Sequence, residues 1–325
     1  MRALKQLVHL GAALVGSVVA LCGTPSLAEP WPQRPVKFIL TLGPGSGTDI
    51  SARLFAERLA SRWGHPVIVE NRPGGYGMVA ILAVSGANDD HTLLYGPASS
   101  FTAHRYQHDK LPYDPHDLVP IARVSNTVVV VAVPAAMGVN SVADLLARVK
   151  SEPDRLNFNT ATGVTDFIID GFLRKTGLSM TRVPYRDTVQ ALNDLGEGRL
   201  QLWIGALAIA RPHVQAGRVK LIAITNSQRA SVVPDIPTVT EAGYPAWTFD
   251  GLVGLLGPRE MTDDLRNRIA ADIAAVAADP VIVERLGATG QVVSPGTPSE
   301  FAASIEVQRA SVAATAQALG IKPSQ

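Results

Sequence analysis

One cysteine in 325 residues, Cys22, lies within an N-terminal stretch that reads as a leader. With the leader gone no thiol remains, which excludes a disulfide framework, a thiol nucleophile and a zinc–thiolate site. Neither sign of charge is in surplus. Of the 29 Lys and Arg, Arg2 and Lys5 leave with the leader, so 27 face 28 Asp and Glu. That balance offers a nucleic acid or an anionic membrane surface nothing to hold. Beyond the leader no apolar run approaches the roughly 20 residues of a membrane span. The sequence also lacks a G-x-S-x-G elbow, a G-x-x-x-x-G-K-[ST] phosphate loop and an H-E-x-x-H pair. His104 and His108 are four apart, but Pro112 and Pro115 follow closely and no acid triad accompanies them. They read as exposed loop histidines, and Arg186 with Asp187 as a solvated ion pair. No repeat, heptad or low-complexity tract occurs. No catalytic residue, cofactor or metal site is assigned.

What is present begins with that leader. Met1-Arg2-Ala3-Leu4-Lys5 is cationic, Leu7 to Leu21 is largely apolar, and Ser26 and Ala28 are small residues at signal-peptidase spacing. Charge, apolar core and small-x-small in that order predict a secretory signal peptide, residues 1–28, cleaved after Ala28. Cys22 raises a lipid-anchor reading, but Leu21 stands where that processing needs a small residue. The mature chain is therefore expected outside the cytoplasm, in the periplasm.

The remainder alternates β-rich and helical segments. Val36 to Leu42, Pro66 to Glu70, Thr92 to Tyr95 and the β-branched run Val128 to Val133 read as strands. So do Leu156 to Thr160, Leu200 to Ile204, Leu221 to Thr225 and Gly251 to Leu256. Asp49 to Trp63 reads as a helix stopped by Gly64, and Ser141 opens another running to Lys150. Asp166 to Lys175, Thr188 to Leu195 and three closing helices, 262–278, 280–286 and 299–319, complete the pattern. Interleaving of this kind predicts an α/β protein with largely parallel sheets covered on both faces.

Two loops carry the chemistry. Gly43-Pro44-Gly45-Ser46-Gly47-Thr48-Asp49 joins a strand's carboxyl end to a helix start, where ligands sit in α/β sheets. Its glycines permit close backbone approach, the helix-start N–H groups attract an anion, and Ser46 and Thr48 add neutral donors. The rival reading is a damaged dinucleotide fingerprint with Glu70 as the ribose acid. It fails at Thr48, where the third glycine belongs. The second loop, Asn159 to Asp166, is also rich in small hydroxyl residues and also opens a helix. Together they suggest a clamp on an anion, a carboxylate or a phosphate held by neutral donors.

Six ordered elements then point to a family. They are Trp31-Pro32-x-Arg34-Pro35-Val36, the loop ending Gly47-Thr48-Asp49, and Val67-Ile68-Val69-Glu70-Asn71-Arg72-Pro73-Gly74. Leu111 to Pro115, Val183-Pro184-Tyr185-Arg186 and Pro234-Asp235-Ile236-Pro237-Thr238-Val239-x-Glu241-Ala242-Gly243 follow. The chain resembles the Bug receptors, extracytoplasmic solute-binding proteins of tripartite tricarboxylate transporters. The resemblance implies a type II periplasmic-binding-protein fold, two α/β lobes with a ligand cleft between them. It places 29–131 plus 247–325 in lobe 1 and 132–246 in lobe 2. It further implies a monomer that captures a small carboxylate, closes, and transiently meets membrane transporter subunits, without nucleic acid or turnover of its ligand. A sensor of the same fold, or an exported enzyme, is the alternative.

The ligand-binding residues so implied are Gly45, Ser46, Gly47, Thr48, Asp49, Thr162, Gly163, Val164, Thr165 and Asp166, with Ser99, Ser100, Tyr185, Gly205 and Ala206. The chain departs from the family in three places. Pro44 and Ser46 replace glycines, the second loop lacks a second glycine and a histidine, and Gly205-Ala206 stand where many members carry an acid. The missing acid argues against an amino-acid ligand and for a carboxylate with a neutral or apolar tail. Asp166 is expected to repel a dianion unless it points to solvent.

Overall fold

The computed structural model describes residues 31–160, 163–185 and 188–324. The expected signal peptide, Thr162 and the Arg186–Asp187 pair lie outside the described residues. Every described strand and helix belongs to one unit, Arg34–Gln325. In chain order β1 (Val36–Leu40), α1 (Gly47–Trp63), β2 (Val67–Asn71), α2 (Met78–Ser85) and β3 (Thr92–Pro97) come first. The short helices α3 (Ser99–Thr102) and α4 (His104–Gln107) precede a long β4 (Leu118–Thr127). Then follow β5 (Val129–Pro134), α5 (Val142–Ser151), β6 (Asn157–Thr160), α6 (Gly163–Thr176), β7 (Thr181–Arg182) and α7 (Thr188–Gly196). Next are β8 (Leu202–Ala206), α8 (Leu207–Gln215), β9 (Val219–Ile224) and β10 (Gly251–Pro258). The chain closes with α9 (Asp263–Ala277), α10 (Pro280–Ala288), β11 (Gln291–Gly296) and α11 (Pro298–Ala318).

These strands make two sheets, β11-β4-β10-β3-β1-β2 and β7-β6-β8-β5-β9. The run 128–133 shows why the second sheet is covered on both faces. Val129, Val131 and Val133 pack into one apolar cluster, while Val128, Val130 and Ala132 pack into another. An alternation that buries both faces reads in sequence as an unbroken β-branched run.

The sheets are mixed rather than largely parallel. β1 pairs in parallel with β2 and β3, and β6 with β7 and β8. Every pairing made by β4, β5 and β10 is antiparallel. These strands lie where the chain passes between sheets, so they run against the strands that open each β–α unit. The outward crossing is at Val128, and the division expected at 131/132 falls inside β5. The return lies beyond 246/247, because Trp247 and Phe249 pack in the second lobe's core before β10 enters the first sheet. Helix α11 contacts both β4 and α6 and adds Val312 to that same core, so the C-terminal segment serves both lobes.

Polar side chains tie the crossing segments together. Asn226 accepts from the Val129 amide at 2.9 Å and donates to Asn126 Oδ1 at 3.0 Å and to the Thr127 carbonyl at 2.9 Å. Asn126 in turn donates to Asp250 at 2.8 Å. Each group is satisfied at the junction where a hinge motion would have to pass.

Candidate functional site

A cavity of about 1140 Å³ lies between the two sheets and is floored by the crossing segments, through Thr127, Val129, Phe249 and Gly251. From the first lobe, Gly45, Ser46, Gly47, Thr48, Ser99 and Ser100 line it. From the second come Val164, Thr165, Asp166, Tyr185, Gly205 and Ala206. The structure thus brings together residues from five separate places in the chain. Gly163 opens α6, and Asp49 is not part of the wall.

Asp49 turns away from the cavity and into its own loop. Its carboxylate accepts from the Gly45 amide at 3.0 Å, Asn71 Nδ2 at 3.0 Å and Arg53 Nε at 3.1 Å. Asn71 Nδ2 also reaches the Leu42 carbonyl at 2.9 Å, so both ends of the loop are stapled to the last residue of β2. Burial pushes the Asp49 carboxyl up, but the Arg53, Gly45 and Asn71 hydrogen bonds outweigh it and hold the pKa below its usual value. Gly45 has φ +79°, a conformation that a side chain would strain. Ser46 caps α1 by accepting from the Asp49 amide at 3.2 Å. With Asp49 and Ser46 committed to shaping the turn, the Gly47 and Thr48 amides and the Thr48 hydroxyl have no partner among the described residues. Thr48 is nonetheless buried. Such groups are donors awaiting an acceptor.

Two other helices begin at the same cavity. Val164, Thr165 and Asp166 belong to the first turn of α6. Helix α8 starts at Leu207 behind Ala206, which has no side chain able to cap it, and Ala208 and Ile209 of its first turn line the wall. Each helix start contributes partial positive charge where an anion would lie.

Sequence reasoning missed several lining residues. Gln291, fully buried on β11, donates to the Gly47 carbonyl at 2.8 Å and accepts from Ser125 at 2.8 Å. It braces the α1 start from a strand whose Val-Ser-Pro sequence carries little β signal. Thr41, also on the wall, accepts from the expected site residue Ser100 at 3.2 Å. Asn159 donates to the Val183 carbonyl at 2.9 Å. Arg182, at the end of the two-residue β7, also lines the cavity. Its guanidinium meets Asp166 at 3.1 Å, and Asp166 also accepts from the Thr160 hydroxyl at 2.8 Å. Burial raises the Asp166 pKa above its ordinary value despite the opposing pull of Thr160 and Arg182. Asp166 and Arg182 are the only charged side chains among the described residues lining the cavity, one of each sign.

Tyr185 presents its ring, not its hydroxyl. The O–H donates to Asp194 at 2.6 Å, and burial with that carboxylate partner pushes its pKa up to about 12. His104, expected as an exposed loop histidine, is fully buried. Its Nε2 meets the Tyr76 carbonyl at 3.1 Å, which only accepts, so Nε2 carries the proton and Nδ1 accepts from the Tyr113 hydroxyl at 2.7 Å. Tyr76 itself is 69% exposed at the cavity rim with φ +56°. No group of side chains suited to a metal occurs among the described residues.

Comparison with known proteins identifies the family. A family model described as "Tripartite tricarboxylate transporter family receptor" matches residues 51–314. A UPF0065 protein of Bordetella bronchiseptica is 30% identical over 310 residues, 94% of this chain and 92% of that protein. Protein BugT of Bordetella pertussis is 28% identical over 306 residues, covering 91% of this chain and 94% of its own. Among solved structures, R. palustris Rpa4515 with adipate superposes with a TM-score of 0.77 at 27% identity, over 90% of this chain and all of that one.

Proposed function

We propose that this chain, which belongs to the tripartite tricarboxylate transporter receptor family, captures a small carboxylate between its lobes and delivers it without chemical change. The observation that carries this reading is the convergence of the α1, α6 and α8 starts on one cavity whose described lining is largely uncharged. A carboxylate there meets backbone amides and the Ser46, Thr48 and Thr165 hydroxyls, donors that need no cation. Adipate in the related Rpa4515 structure supports the ligand class. The volume exceeds the roughly 300–1,000 Å³ usual for small-molecule sites, as suits a cleft that closes around its ligand. Closure about the 126–129 and 226–250 segments would create the surface that membrane subunits recognise, and binding would favour that state. The cationic, apolar, small-x-small leader supports export to the periplasm.

Thermal unfolding of the mature chain against paired carboxylates and their amides tests the reading. A ligand that binds only the folded state raises the melting temperature once its concentration passes Kd. A shift with an acid and none with its amide is expected; no shift across mono-, di- and tricarboxylates would sink it. Thr48→Val keeps the shape and removes one buried donor. It should weaken the acid's binding by about 1–2 kcal/mol while leaving the unfolding midpoint of the empty protein in place. Unchanged affinity would remove Thr48 from the site.

A further inference from the structure

Arg182 stands out because the carboxylate site just described has no use for it. Three helix starts already supply donors, yet a guanidinium also faces the cavity from β7. It makes one ion pair, Nη1 to Asp166 Oδ2 at 3.1 Å, and its remaining nitrogens have no partner among the described residues. Its side chain is 51% exposed, so it can turn without disturbing packing. Asp166 does not depend on it, since its other oxygen accepts from Thr160 at 2.8 Å. A planar fork of donors with one arm engaged is suited to a second carboxylate.

We propose that Arg182 is a second anion anchor, which takes the remote carboxylate of a dicarboxylate ligand while Asp166 holds the guanidinium in place in the empty cleft. This rests on the carboxylate reading above and replaces the neutral or apolar tail expected from Gly205-Ala206 alone. Those two residues speak only to an ammonium partner, and the two-residue β7 hid the arginine. Asp166 then opposes the ligand's second charge and sets a limit on its affinity. An ammonium at Asp166 is the poorer fit, because that carboxylate already has a guanidinium and a hydroxyl.

The test is calorimetric titration of the mature chain with linear α,ω-dicarboxylates from succinate to suberate, followed by the mono-amide of the tightest binder. The wild type is expected to prefer the diacid. Arg182→Gln should lower the diacid-to-mono-amide preference roughly tenfold or more, the effect of losing a charged hydrogen-bond partner. Arg182→Lys should retain part of that preference, and Asp166→Asn should strengthen the diacid. Equal loss for both probes in Arg182→Gln would mean the residue acts only by positioning α6, and would overturn the second anchor. So would a wild type that binds diacid and mono-amide alike, although carboxylate capture would stand. A wild type that binds no diacid of the series would end the second anchor as well, whereas the carboxylate reading falls only if mono- and tricarboxylates also leave the melting temperature unmoved.

Discussion

Asp49→Ala is expected to destabilise the protein by about 3 kcal/mol and to weaken carboxylate binding at least thirtyfold, although Asp49 touches no ligand. Its buried carboxylate serves three donors, the Gly45 amide, Asn71 Nδ2 and Arg53 Nε. Hydrogen bonds to a charged group contribute about 1.5–3 kcal/mol each when a donor would otherwise lose its partner. Arg53 is half exposed and regains water, so its share is small. The Gly45 amide and Asn71 carry most of the loss. The effect on binding follows from order: fixing a backbone residue costs about 1–2 kcal/mol. Re-ordering two loop residues on binding then costs about 2–4 kcal/mol, a thirtyfold to thousandfold change.

Asp49→Asn separates shape from charge. It can still accept from Gly45, so it should lose about half as much stability as the alanine variant. Acidity provides an independent reading. The Asp49 pKa is held below its ordinary value, so its stabilising contribution is complete above the unfolded value near 3.9 and is lost as pH falls through the folded one. Wild-type affinity should therefore fall in that acid range by a step that Asp49→Asn lacks. Denaturant midpoints and titrations of the two variants check each part. An alanine variant with wild-type affinity would show that the loop holds its form without the carboxylate.

Asp49 also marks the limit of what sequence could reveal. Gly43 to Asp49 was legible as a candidate loop from its glycines and hydroxyls between a strand and a helix, and Gly43 and Gly45 to Thr48 do line the cavity. Which of its residues face the cavity was not legible, since Asp49 and Thr48 are adjacent and differ only in which way the helix turns them. Strand β4 escaped notice because Pro120 breaks its pattern and its register against β10 shifts twice. The missing β4 left the crossing misplaced inside the valine run and concealed the antiparallel pairings. Gln291 reaches the site from a strand far along the chain, and no local pattern announces a brace. His104 shows the reverse: closely following prolines suggested a loop, but burial depends on which elements fold over it.

Gly77→Ala is expected to cost about 3 kcal/mol, and Gly77→Val more. Gly77 precedes α2 with φ +103°, ψ −7°, a region where a side chain costs about 1–2 kcal/mol in strain. A Cβ there would lie 2.9 Å from Ser100 Cβ and 3.3 Å from both the Ser100 carbonyl oxygen and Thr41 Cβ. These are backbone and short side-chain atoms that cannot swing aside, so overpacking adds about 1–3 kcal/mol. The strain would also reach function, because Ser100 and Thr41 form a hydroxyl pair on the cavity wall. One residue earlier, the Tyr76 carbonyl is held by buried His104, so the loop cannot relieve the contact by sliding toward solvent. Gly75→Ala is the control. Its φ is also positive at +54°, but its nearest neighbours are side-chain atoms of Met78 at 3.4 Å, an ordinary contact. It should lose only about 1–2 kcal/mol and keep its affinity. Urea midpoints at unchanged slope would measure the difference, and titration would report the wall. If Gly77→Ala proved no worse than Gly75→Ala, the loop would have to move independently of Ser100, and the His104 hydrogen bond would not be what fixes the rim.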